Sequence, residues 1–258
     1  YRALALNTAE RNTAVGFCSL GSTTTGCGNT GLGEATLRNN TIGCKNVAVG
    51  QAALYSNIVG IYNTAVGFYS LLCNTASNNT AVGFESLRQN TTGAYNTALG
   101  QYALRQNTTG IQNTAVGRSS LQANEVGKYN TAVGYQSLRC NTASNNVAVG
   151  FRALRSNTAP NNTAVGYDAL KSNTTGAYNT GLGNAALALN TTGARNTSVG
   201  RAALSSNTVG SDNISLGFYS LLCNVSGNNN TALGSQALRV NTASNNVAVG
   251  FCALRSNT

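Results

Sequence analysis

The sequence predicts an all-β protein, a parallel β-solenoid of about fifteen coils of 16–17 residues running continuously through residues 1–258. Three observations predict it. A motif close to Asn-Thr-Ala-Val-Gly recurs along the whole chain, with its glycines at Gly16, Gly33, Gly50, Gly67, Gly83, Gly100, Gly117, Gly134, Gly150, Gly166, Gly183, Gly200, Gly217, Gly234 and Gly250. The gaps between these glycines are 17 or 16 residues and nothing else. The composition also fits neither a globular enzyme nor a disordered chain: Gly, Asn, Thr and Ala dominate, Pro occurs once, His, Met and Trp are absent, and 9% of residues are charged. Biased composition with apolar residues at fixed places is the signature of a repeat architecture.

Each place in the coil makes its own demand. The residue before the glycine is always Val or Leu, the one before that is small, and the next is Thr, Val or Ile. Asn stands four places before the glycine and Leu four places after it in every coil. A second Asn stands seven places after it, except in the first coil, where Thr23 takes the place. Alternating small and large residues around β-branched ones predict short strands, whereas a Gly, two Asn and several Thr per coil oppose a helix. Two strands per coil are expected, one through Asn-Thr-Ala-Val-Gly and one through the Phe/Tyr-x-Ala-Leu segment after it. The Leu, the Val and the β-branched residue are expected inside. Stacking at the ~4.8 Å strand spacing pairs each backbone group with the coils above and below and gives a rod of roughly 70 Å.

Length variation falls at one corner. The 17-residue coils carry a glycine ten places after the reference glycine (Gly26, Gly43, Gly60, Gly93, Gly110, Gly127, Gly176, Gly193, Gly210, Gly227), and the 16-residue coils read Thr-Ala-Ser-Asn-Asn or Thr-Ala-Pro-Asn-Asn there. A one-residue insertion that always brings Gly predicts a second turn type with a positive φ. Asn at stacked corners predicts side-chain ladders.

A coil this thin supplies little apolar burial, so packing between chains is expected, and a homotrimer is the assembly predicted. An aromatic column just after the reference glycine is the expected inter-chain seam: Phe17, Phe68, Phe84, Tyr135, Phe151, Tyr167, Phe218 and Phe251. The net charge is +10, and eight basic residues share the place five after the glycine: Arg38, Arg88, Arg105, Arg139, Arg155, Lys171, Arg239 and Arg255. These form a discontinuous stripe, read either as a solvated face that keeps solenoids apart or as a site for anionic surface glycans. Nothing resembles a groove-reading element, so nucleic acid is not an expected partner.

Catalytic chemistry is not expected. The commonest general base and metal ligand is missing, the six acids Glu10, Glu34, Glu85, Glu125, Asp168 and Asp212 are scattered over distant coils, and neither a metal nor a cofactor is implied. No stretch approaches the ~18 apolar residues of a membrane span. Of seven cysteines only Cys27 and Cys44 occupy one place in neighbouring coils. That is within disulfide reach, although parallel side-chain directions make a bridge awkward. Free thiols point to synthesis in a reducing compartment.

The coil Asn-Thr-Ala-Val-Gly-(aromatic)-x-Ala/Ser-Leu-x-x-Asn-Thr resembles the head repeat of trimeric autotransporter adhesins. It resembles more closely the Asn-Thr-Ala-x-Gly-x-x-Ala-Leu repeat of viral tail fibres. The resemblance covers all 258 residues, although these coils are longer than the adhesin ones. The sequence opens and closes in mid-repeat, which predicts a fragment of a longer repeat protein. The resemblance implies a left-handed β-roll assembled as a trimer, located in a virion fibre or at a cell surface. Its implied role is that of a shaft holding a receptor-binding tip on another domain. The alternatives are a solenoid face that itself binds anionic glycans and an ice-binding solenoid with Thr columns.

Overall fold

A computed structural model of the protein describes residues 3–257. The chain is an all-β parallel solenoid of about 14 turns with ~17 residues per coil, and no helix occurs among the described residues. It divides into two compact units, Tyr1–Tyr129 and Asn130–Thr258.

In the first unit the strands are β1 (Thr13–Val15), β2 (Thr30–Leu32), β3 (Val47–Val49), β4 (Thr64–Val66), β5 (Thr80–Val82), β6 (Thr97–Leu99) and β7 (Thr114–Val116). Each pairs in parallel with the next, in register: Thr80 opposite Thr97, and Thr97 opposite Thr114. The second unit holds β8 (Thr131–Val133), β9 (Val147–Val149), β10 (Thr163–Val165), β11 (Thr180–Leu182), β12 (Thr197–Val199), β13 (Ile214–Leu216), β14 (Thr231–Leu233), β15 (Val240–Asn241), β16 (Val247–Val249) and β17 (Ser256–Asn257). There β8 to β14 and then β16 form a parallel row, and β15 pairs with β17.

The coil beginning at Asn96 shows how the pattern works. Strand side chains alternate sides, so Ala98 points in and is fully buried, while Thr97 and Leu99 point out and Leu99 is 37% exposed. This inverts the expected assignment: the β-branched residue and the Val or Leu line the outside, and the small residue faces the core. The interior is too thin for more. Where Gly31 replaces the inward alanine, its side of the core is taken up by Thr36, whose hydroxyl pairs with Ser19 Oγ at 2.7 Å.

At Gly100 the chain turns with φ +134°, and the reference glycines share this region, from +113° to +138°. The segment that follows is not a second strand. Tyr102 and Leu104 both adopt left-handed φ (61° and 50°), as do the equivalent residues of the other coils. That backbone lets the successive residues Ala103 and Leu104 both point inward and be fully buried, which a strand of period two forbids. Its amides still pair between coils: Tyr102 N–H donates to Phe84 O at 3.0 Å, and Leu104 N–H to Ser120 O at 3.0 Å. Left-handed φ costs an L-residue roughly 1–2 kcal/mol, and this repeated lattice of bonds holds it in place.

The corner glycine also differs from expectation. Gly110 and its equivalents do not have left-handed φ. They are glycine because a Cβ on Gly110 would lie 2.5 Å from Gly127 O in the next coil.

Two asparagine ladders complete the core, as the stacked corners predict. Asn96 N–H donates to Asn79 Oδ1 at 3.0 Å, and its Nδ2 to Gly110 O at 2.8 Å. Asn107 Nδ2 donates to Asn90 Oδ1 at 2.7 Å and to Gly110 O at 3.0 Å. Both rungs are buried, so each amide satisfies its neighbours as well as itself.

The second ladder breaks at Thr23, whose Oγ1 is buried without a hydrogen-bond partner. Thr23→Asn supplies an acceptor for Asn40 Nδ2, which now bonds Gly43 O. It also removes the orphaned hydroxyl, so it is expected to raise stability by about 1 kcal/mol. Urea denaturation of the two proteins measures this. A lower midpoint for the variant would contradict the ladder account.

Candidate interaction faces

The strand row of each unit presents an outward surface of two columns. One is Thr in most coils, replaced by Val47, Val147, Val247 and Ile214. The other is Val or Leu in every coil. In the second column Val82, Leu99, Val133, Val165, Val199 and Leu216 are each 36–40% exposed. Sequence reasoning missed this surface because it assigned these side chains to the core. The signal was present, since the residue between the two columns is restricted to Ala, Gly or Ser.

The predicted aromatic seam lies beside this surface, one glycine beyond the Val/Leu column. Phe17, Phe84, Tyr135, Phe151, Tyr167, Phe218 and Phe251 are exposed, and Phe68 is half-buried. Consecutive coils stack their rings. In the first unit Phe68 and Phe84 lie 5.4 Å apart and nearly parallel at 4°. In the second, Tyr135–Phe151 and Phe151–Tyr167 stack at 5.2 and 5.0 Å. Such ring pairs add about 0.5–1.5 kcal/mol beyond their burial. Arg152 sits over Phe151 at 4.8 Å and is held there by a bidentate bond to Asp168, Nε to Oδ1 at 2.8 Å and Nη2 to Oδ2 at 2.7 Å. That bond raises the Arg152 pKa above its ordinary value.

The basic stripe is only partly free of counter-charge. Arg88 and Arg105 share Glu85, at 3.4 and 2.6 Å, and Lys171 reaches Asp168 at 3.3 Å. Arg38 donates to Tyr55 Oη at 3.3 Å, and Arg239 to Gln236 Oε1 at 3.3 Å. Arg155 has its Nε buried without a partner, and Arg255 is exposed. Arg139 also makes an interaction.

Two features were not foreseen from sequence. Buried Glu85 and Asp168 act as anchors for arginines of neighbouring coils, and Arg195 grips Asp212 at 2.6 and 2.8 Å, holding that carboxyl below its usual pKa. Both follow from the period, because Arg152 and Asp168 stand 16 residues apart and Arg195 and Asp212 stand 17 apart.

A shallow groove of about 380 Å³ in the first unit is lined by Ala52, Tyr55, Ser56, Tyr69, Leu72, Cys73 and Arg88, a set without an acid–base pair. Among the described residues no group of three or more His, Cys, Asp or Glu is placed to hold a metal ion. Among the described residues there is no helix long and apolar enough to cross a membrane. Comparison with protein-family models, curated proteins and solved structures finds no match to this chain.

Proposed function

We propose that this chain is the structural shaft of an extracellular or virion fibre, in which three copies pack along the outward Val/Leu column and its aromatic flank. The fibre carries a receptor-binding tip on another domain. The observation that supports this reading is the unbroken Val/Leu column on the outside of each unit. Soluble monomers rarely leave a contiguous apolar patch of more than a few hundred Å² in water. The regular register of the column suits an identical surface on a second and third copy, because every chain repeats at the same strand spacing. A role as spacer needs no catalytic group and no cofactor, in keeping with a repeat that carries no histidine.

Glycan capture by the basic stripe is the weaker reading. Glu85 and Asp168 form ion pairs with three of its eight basic residues, and Arg155 is partly buried. On an array of sulfated and sialylated glycans at low and moderate salt, the shaft reading predicts no salt-sensitive binding. Strong binding that fades with salt would transfer the function to the stripe. Ice binding is disfavoured because most strands offer one outward hydroxyl beside an apolar side chain. Thermal hysteresis at micromolar protein is expected to be absent.

A further inference from the structure

Cys27 and Cys44 hold one place in successive coils of the first unit, three residues ahead of β2 and β3. Their sulfurs lie 3.2 Å apart. Cys27 N–H donates to Cys44 Sγ at 3.0 Å, and Lys45 N–H donates to Cys27 O at 2.9 Å, so the two corners are locked together. Stacked corners share the ~4.8 Å coil spacing, inside the Cα range of natural disulfides. The parallel side-chain directions that make a bridge awkward still bring the two sulfurs this close, as free thiols. Both residues are half-buried, within reach of small reagents. Cys18, Cys73, Cys140, Cys223 and Cys252 have no cysteine at their own place in an adjoining coil.

We propose that Cys27 and Cys44 form an intrachain redox site, a disulfide that staples two successive coils in oxidising surroundings and opens when thiol is supplied. The reaction is exchange with a small disulfide such as glutathione disulfide. The Cys44 thiolate attacks it, forming a mixed disulfide and expelling one glutathione thiolate. Cys27 then gives up its proton to solvent, and its sulfur attacks Cys44 Sγ and expels the second. The two protein thiols lose two electrons and two protons, and the reagent gains both to become two thiols.

The hydrogen bonds set the order of attack. Cys44 Sγ accepts from both the N–H and the S–H of Cys27, so the Cys27 proton is held between the two sulfurs. The Cys27 thiol is pushed above its ordinary pKa, first by its hydrogen bond to Cys44 and then by burial. The staple closes a 17-residue loop and restrains the unfolded chain, so these coils no longer separate one at a time. The inference stands on this geometry alone and does not depend on the proposed function.

The test is to treat the whole chain with glutathione disulfide, alkylate remaining thiols with iodoacetamide, and map tryptic peptides without reduction. The expected result is peptide 12–38 joined to peptide 39–45 through Cys27 and Cys44. Alkylation of those two cysteines is expected to fall at least tenfold and to be restored by dithiothreitol, while the other five form no bridge within the chain. A Cys27→Ser chain is expected to hold glutathione on Cys44. Full alkylation of Cys27 and Cys44 after oxidation would overturn the proposal. So would a bridge through Cys18, or one joining differently isotope-labelled copies.

Discussion

Gly100→Ala is expected to lower the unfolding free energy by about 3–5 kcal/mol, among the largest single effects available in this fold. Two costs act together. The φ of +134° at Gly100 lies where an L-residue is strained, which costs about 1–3 kcal/mol. The new Cβ would also sit 2.8 Å from the carbonyl carbon and oxygen of Gly117 in the next coil. Backbone cannot rotate away as a side chain can. Relief requires the coils to part, which stretches the 2.8 Å bond from Gly117 N–H to Leu99 O. The adjacent Gln101→Ala is the control, since Gln101 is exposed and its loss is expected to stay within about 0.5 kcal/mol. Guanidinium denaturation of both variants measures the difference. A Gly100→Ala protein as stable as Gln101→Ala would refute the close stacking of coils at this turn.

The second large effect concerns association. The triple variant Val82→Glu, Leu99→Glu, Val116→Glu places carboxylates in three successive outward positions. None of these side chains enters the core, so the β content and the buried Leu87, Leu104 and Leu121 are expected to be unaffected. Packing three copies along this column would instead bury like charges without partners, at several kcal/mol each. The assembly constant is expected to fall by more than a thousandfold, leaving a folded single chain. Circular dichroism and light scattering read the two properties separately. A variant that stays fully assembled would move the interface away from this column, and one that unfolds would place these residues in the core.

The period, the strand through Asn-Thr-Ala-Val-Gly, the asparagine ladders and the buried leucine were legible in the sequence because each depends only on residue type at a fixed spacing. The direction of the side chains was less legible. A repeated Thr-Ala-Val fits either side of a strand, and the usual preference for Val inside pointed the wrong way. Ala98, Gly181 and Ser198 at one place carried the answer, since only a thin core demands so small a residue. The Phe/Tyr-x-Ala-Leu segment was hidden for another reason. No propensity rule places Leu20 or Leu104 at left-handed φ, and inter-coil hydrogen bonding overrides the local preference there. Gly110 misled because glycine serves both positive φ and close approach, and here the second applies. Of the candidate site, the aromatic column was legible by position. Its Val/Leu neighbour became visible only once the strand was turned outward, and the pairing of Arg152 with Asp168 only once neighbouring coils were brought together.

Sedimentation equilibrium of the unmodified chain, over a wide concentration range, tests the central claim most directly. Outward packing of three copies predicts a particle of three times the 26.4 kDa chain mass, unchanged by moderate salt because the seam is mainly apolar. A folded species that remains at 26.4 kDa throughout would contradict it, and the Val/Leu and aromatic columns would then be a surface that this chain keeps in water.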